Sequence, residues 1–276
     1  LNRTKLIQLI VSAGTLVLFV VVYAAPKNYS EKTLADRARV ETKKETDKQL
    51  VEIKKELKPD AGAKLADLEK KFAAAADKEQ KANALDSLAL FWDREMYPGA
   101  AVLYIEDKAM LLNTAAQWII TGDRYLSMAE FGEPENKGFR LDKAAECYQK
   151  ALDMESGNLT AKTGLGTVMV RKQENPMAGI ALLREVVDAD PGNIRALLQL
   201  ADFSIMSNQP EKAIARFDQV LQVDPNYVDA YFFKAETYAK MGKKTEALHF
   251  LEEYKTRVNP EAAKEAENYL KTNYGL

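Results

Sequence analysis

Cysteine and histidine are nearly absent: the 276 residues hold one of each, Cys147 and His249. A single cysteine excludes an intrachain disulfide framework and a cysteine-rich zinc site, and a single histidine excludes any centre built from two. Glycine and proline are sparse, with 13 and 9, which leans the chain toward helix because they are the poorest helix formers. Neither sign of charge prevails: 39 Lys and Arg stand against 41 Asp and Glu. No basic excess is left to hold a phosphate backbone, so nucleic acid is not an expected partner. A phosphate loop and a G-x-S-x-G elbow are missing too, and Gly164-Leu165-Gly166 is too short for a dinucleotide fingerprint. Cys147 reads as a small packing residue and His249 as a surface one. The chain is therefore expected to be no enzyme, with no catalytic residue, cofactor, metal or small-molecule substrate.

What is there begins with one long apolar run. Leu6 to Ala25 carries no charge over twenty residues, and at about 1.5 Å per residue these span about 30 Å, a bilayer's hydrocarbon thickness. Residues 1–26 are expected to be a single transmembrane anchor. A cleaved signal peptide is the other reading, with Val22-Tyr23-Ala24 as its cleavage site, although the run exceeds the roughly 7–15 apolar residues usual there. Arg3 and Lys5 precede the span, while Lys27, Lys32, Arg37 and Arg39 follow it. The raw count of positive charge puts the body in the cytoplasm. That rule weakens when a long domain follows, and a short basic N-terminus suits an N-in signal anchor with the body outside.

Residues 27–60 read as a charged juxtamembrane helix or linker. Ser30 suits a helix start and Pro59 a stop, and pairs such as Glu41 with Lys44 and Glu52 with Lys55 support a solvated helix. It is either a spacer above the membrane or a helix packed on a partner subunit. Residues 61–80 carry Leu65, Leu68 and Phe72 at helical spacing and read as a docking helix.

The rest repeats itself. Pro191 and Pro225 stand 34 residues apart, Pro260 follows 35 later, and Ser156 stands 35 before Pro191. Ahead of these points a small residue is followed four later by a large apolar one: Ala144 and Tyr148, Gly179 and Leu183, Ala213 and Phe217, Ala247 and Leu251. Further upstream come Trp118, Gly122 and Tyr125; Leu165, Gly166 and Met169; Leu197, Leu200 and Ala201; Tyr231, Ala235 and Tyr238. This pattern resembles the tetratricopeptide repeat, W-x2-L-G-x2-Y, then A-x3-F, then P over about 34 residues. The resemblance implies an all-α fold: the transmembrane helix, the charged helix, then a right-handed superhelix of stacked hairpins over 81–260. About five repeats are expected. The first is divergent (Leu85, Leu88, Ala89, Trp92), the second carries an insertion at 131–142, and 261–276 forms a polar capping helix.

In such superhelices the first helix of each hairpin lines the concave face. By register, the candidate partner-binding residues are Arg171, Arg195, Leu198, Asp202, Ile205, Met206, Phe232 and Glu236. The apolar row of Leu198, Ile205, Met206 and Phe232 is either extra core between repeats or a groove for an apolar partner segment. The lysine and asparagine pattern that clamps a chaperone's C-terminal carboxylate in part of the family is absent here.

The layout also resembles YfgM-like ancillary subunits of the bacterial Sec translocon. That resemblance implies a protein-binding scaffold in the bacterial inner membrane, N-terminus in and body periplasmic. Its expected partners are the bilayer, integral membrane complex subunits and a periplasmic chaperone. The alternative is a cytoplasm-facing receptor that captures peptide targeting signals on the concave face.

Overall fold

The computed structural model describes residues 48, 50–132 and 134–276. The anchor expected at 1–26 and most of the charged helix expected at 27–60 lie outside them. Among the described residues every regular element is a helix, and none is long and apolar enough to cross a membrane.

The chain divides into two units, residues 1–76 and 77–276. In the first, residues 50–56 are helical and α1 (Pro59–Ala74) follows. Pro59 both ends the one and opens the other, since its missing N–H costs nothing in a first helical turn. Lys54 reaches Glu69 at 2.5 Å and ties the two helices. Helix α1 stops short of the docking helix expected at 61–80. Asp77 accepts a hydrogen bond from the Gln80 amide at 2.7 Å, so residues 78–80 already belong to the next helix.

The second unit is a run of antiparallel hairpins: α2 (Lys78–Arg94) with α3 (Pro98–Leu112), α4 (Ala115–Phe131) with α5 (Lys137–Met154), and α6 (Leu159–Lys172) with α7 (Pro176–Ala189). Then come α8 (Ile194–Met206) with α9 (Pro210–Val223), α10 (Val228–Lys240) with α11 (Lys244–Lys255), and α12 (Pro260–Tyr274). The recurrent Asp-Pro turns close the second helices by one device. Proline cannot continue a helix, and the aspartate folds back onto the amide two residues on: Asp190 accepts from Gly192 at 3.1 Å and Asp224 from Asn226 at 2.9 Å. Where the next helix starts, Asn158 and Asn193 cap it through the amides of Ala161 and Ala196, each at 3.0 Å.

The small-then-large spacing is a packing rule. Ala144, Ala213 and Ala247 are fully buried, and their large partners Tyr148, Phe217 and Leu251 are buried too. A Cβ added to Gly179 would stand 2.5 Å from the Gly166 carbonyl oxygen, so the α6 and α7 backbones touch and only glycine permits it. Tyr148 is wedged the same way: a Cβ on Gly122 would reach its ring at 2.9 Å, and one on Gly164 would overlap it. Ala266 and Leu270 of α12 cover the last hairpin by packing on Ala235, Ala247 and Leu251, as a terminal repeat requires.

The segment at 131–142 is not a loop. After Gly132 one 3-10 turn (Pro134–Asn136) leads straight into α5, which has 18 residues against 14 in α7 and in α9. The extra chain lengthens both helices, since α4 also has 17 residues against 14 in α6. Arg140 donates to the Met128 carbonyl at 2.8 Å and satisfies the end of α4.

Candidate functional site

Helices α4, α6, α8 and α10 open their hairpins, and α6 contacts both α4 and α8 directly. That places the first helices on the inner, concave side. Salt links cross this face from helix to helix. Arg171 of α6 pairs with Asp202 of α8 at 2.6 Å and faces Glu130 of α4 with its Nε at 3.4 Å, an ion pair without hydrogen-bond geometry. Its guanidinium also donates to the Met206 sulfur at 3.3 Å and lies 5.3 Å from the centre of the Phe203 ring.

The second link is longer. Arg195 of α8 pairs with Asp123 of α4, stepping over α6, and the Tyr148 hydroxyl donates to the same Asp123 carboxylate at 2.6 Å. Tyr148 rises from α5 through the gap that Gly122 and Gly164 leave. Burial first, then the Asp123 charge, push its phenol far above the ordinary range. Burial opposes the Arg195 charge, but the hydrogen bond and charge of Asp123 outweigh it and the net shift is upward.

The eight residues singled out from sequence fall into four places. Arg171, Asp202 and Met206 form one cluster, in which Met206 is half-exposed. Arg195 belongs to the Asp123 link. Leu198 and Ile205 are half-buried and pack on Ala201, Ala213 and Phe217 of their own hairpin. Phe232 and Glu236 are engaged by the capping helix. Phe232 lies 5.9 Å from Tyr269, ring to ring, and Glu236 accepts from the Tyr269 hydroxyl at 2.6 Å and from Tyr274 at 3.2 Å. Sequence reasoning passed over Glu130 and did not connect Asp123 to Arg195. The available signal was register: Asp123 and Arg195 are 72 residues apart, two repeat lengths plus one helical turn.

The reactive side chains serve packing. Cys147 is buried, and burial, then the Glu106 charge, push its thiol up to about 12. Glu106 accepts from the Tyr125 hydroxyl at 2.7 Å and pairs with Lys143 at 3.3 Å, which joins α3, α4 and α5. Among the described residues no three His, Cys, Asp or Glu side chains are grouped to hold a metal.

The comparisons agree with this geometry. The tetratricopeptide repeat family model matches residues 170–221 and 205–266. A tetratricopeptide repeat protein from Parabacteroides merdae is 16% identical, covers 82% of this chain and 86% of its own, and superposes with a TM-score of 0.58. PilW, a type IV pilus biogenesis factor, is 21% identical over 70% of this chain and 94% of its own, with a TM-score of 0.51. No curated protein matches. At these identities the likeness shows the fold alone: residues 77–276 are a superhelical stack of tetratricopeptide-type hairpins.

Proposed function

We propose that this protein is a membrane-tethered, non-catalytic scaffold whose concave face binds protein. The reading is supported most by the Glu130–Arg171–Asp202 row with Met206 beside it. It presents charge of both signs and one half-exposed apolar side chain along the inner face of a repeat stack. Such a face suits an extended partner segment, with ion pairs fixing register and the thioether filling gaps. The apolar run Leu6 to Ala25 supports the tether, with the body outside the cytoplasm and a partner among the subunits of an inner-membrane complex, best a protein-translocation or periplasmic chaperone assembly. The positive charge after the span, at Lys27, Lys32, Arg37 and Arg39, favours a second reading, a cytoplasm-facing receptor for peptide signals.

The test is a mild-detergent pull-down of the tagged full-length chain from native membranes, read by mass spectrometry, beside an Arg171→Glu variant. Co-purified translocon or chaperone subunits, lost in a variant that keeps its helical circular dichroism, support the scaffold on this face. Equal recovery by both proteins sinks the concave assignment. Protease added to intact spheroplasts separates the readings: digestion of the body refutes the cytoplasmic receptor, and protection refutes the periplasmic scaffold.

A further inference from the structure

The curvature that brings first helices together on the inner face parts the second helices on the outer one. Between α7 and α9 the parting leaves a cavity of about 190 Å³ floored by α8. Ile180, Leu200 and Phe203 make part of its wall apolar, and Ser204, Ser207, Gln209 and Gln219 line it beside them. Leu200, Ser204 and Ser207 follow one another at helical spacing on the side of α8 opposite Leu198, Asp202 and Met206. The cavity thus opens on the other side of α8 from the concave cluster, with the buried Phe203 ring between the two.

Its rim is basic. Arg184, Lys212 and Arg216 line it, and no lining residue is acidic. Arg171 and Arg195 on the concave side are matched by carboxylates, whereas none of these three rim cations has a carboxylate partner among the described residues. Lys212 leans on Gln209 at 2.5 Å and Arg216 on Gln219 at 2.9 Å, neutral amides that steer the heads without cancelling their charge. Of the carboxylates on the same helices, Glu185 pairs with Lys162 of α6 and Asp218 with Lys234 of α10, while Asp188 and Glu211 stand outside the lining.

Size and chemistry narrow the occupant. A cavity of about 190 Å³ falls below the roughly 300 Å³ at which pockets begin to enclose whole small molecules. It suits one large apolar side chain. A free inorganic anion would leave the apolar wall uncovered, and the rim cations call for negative charge on either side of an inserted apolar group. We propose that this outer-face cavity is a second docking site, for an acidic peptide segment of a partner protein that inserts one aromatic or long aliphatic side chain. The site does not depend on the concave reading.

The experiment uses the full-length chain in mild detergent and a fluorescein-labelled peptide of one phenylalanine flanked on each side by glutamates, read by anisotropy at low and high salt. Control peptides carry alanine at the centre, or lysines in place of the glutamates. The acidic phenylalanine peptide is expected to bind, more weakly as salt rises, and the alanine peptide to bind at least about tenfold more weakly. The double variant Arg184→Ala with Arg216→Ala is expected to lose about tenfold or more. Ala215, exposed on the cavity wall, gives the sharper variant: Ala215→Leu keeps every cation and fills the space, and is expected to cause the same loss. Circular dichroism checks that each variant is folded. Unchanged binding in Ala215→Leu, or equal binding of the alanine peptide, reduces the effect to diffuse charge and overturns the proposal. No binding overturns it as well, and loss through Arg171→Glu moves the site to the concave face. Capture of vesicles containing anionic phospholipid, abolished by the same cavity variants while the peptide fails to bind, replaces it with a membrane surface.

Discussion

Gly179→Ala sets two quantities of known size against each other. Gly179 sits inside α7, where alanine is the better helix former by about 0.8–1.0 kcal/mol. On propensity alone the substitution stabilises. The structure opposes it: the new methyl would stand 2.5 Å from the Gly166 carbonyl oxygen, 2.8 Å from Val170 Cγ2 and 3.0 Å from Met169 Cβ. Two of these atoms are backbone or bonded to it, so relief requires the helices to separate, and overpacking of this kind costs typically about 1–3 kcal/mol. At the upper end, suited to a contact that cannot yield by rotamer change, the net loss is about 2 kcal/mol. For a body of this size it lowers Tm by roughly 4–8 °C. The comparison is Gly138→Ala, where nothing stands within 4 Å of the added carbon and stability holds or rises slightly. Thermal unfolding followed at the helical band, with wild type and both variants side by side, decides the matter. A Gly179→Ala protein as stable as Gly138→Ala would refute the close-contact explanation of the repeat's small residue.

Three further outcomes are expected. Cys147 should resist thiol reagents in the folded protein at pH 8 and react fully in denaturant, because it is 1% exposed; fast labelling of the native chain would contradict its burial. Its proton is held to about 12 in the fold against 9.0 for an ordinary thiol. The folded state therefore binds more protons above pH 9, and stability falls with rising pH at about 1.4 kcal/mol per pH unit for this group. Buried Tyr125 and Tyr148 add in the same direction above 10.0, and urea titrations across the alkaline range read the slope, which Cys147→Ala should make shallower. Met96→Gly should raise stability by about 1 kcal/mol, because Met96 holds φ 64 while 82% exposed and loses little packing; a drop in the urea midpoint would show that the side chain is engaged.

The hairpin stack was legible because its signals are local. Asp190-Pro191 and Asp224-Pro225 stop helices within two residues of themselves, and the pairs Gly179 with Leu183 and Ala213 with Phe217 lie on one helix face. The register of the 131–142 segment was not, because the sequence shows extra residues but not that Pro134–Asn136 and Arg140 turn them into the start of α5. Candidate side chains were harder again. Register put Leu198, Ile205, Phe232 and Glu236 on the inner face, yet α9 packs against the first two and α12 engages the others. Glu130 became visible only when Arg171 was seen to reach it. Which surface position is occupied depends on neighbours 30–70 residues away, and no single repeat carries that information.

Repeat stacks are ordinarily chains of nearest neighbours, each unit sensing only the one before and the one after. The Arg195–Asp123 pair breaks that rule by joining first helices two repeats apart across the top of α6. In mechanical terms it is a strut on the inside of a spring. Opening the superhelix must pull the two ends of the strut apart, and closing it compresses them. Its stiffness is electrostatic, with both side chains 39% exposed, so dissolved salt sets how hard it resists. The pitch of this part of the stack, and hence the width offered to any partner, becomes a function of ionic strength as well as of packing.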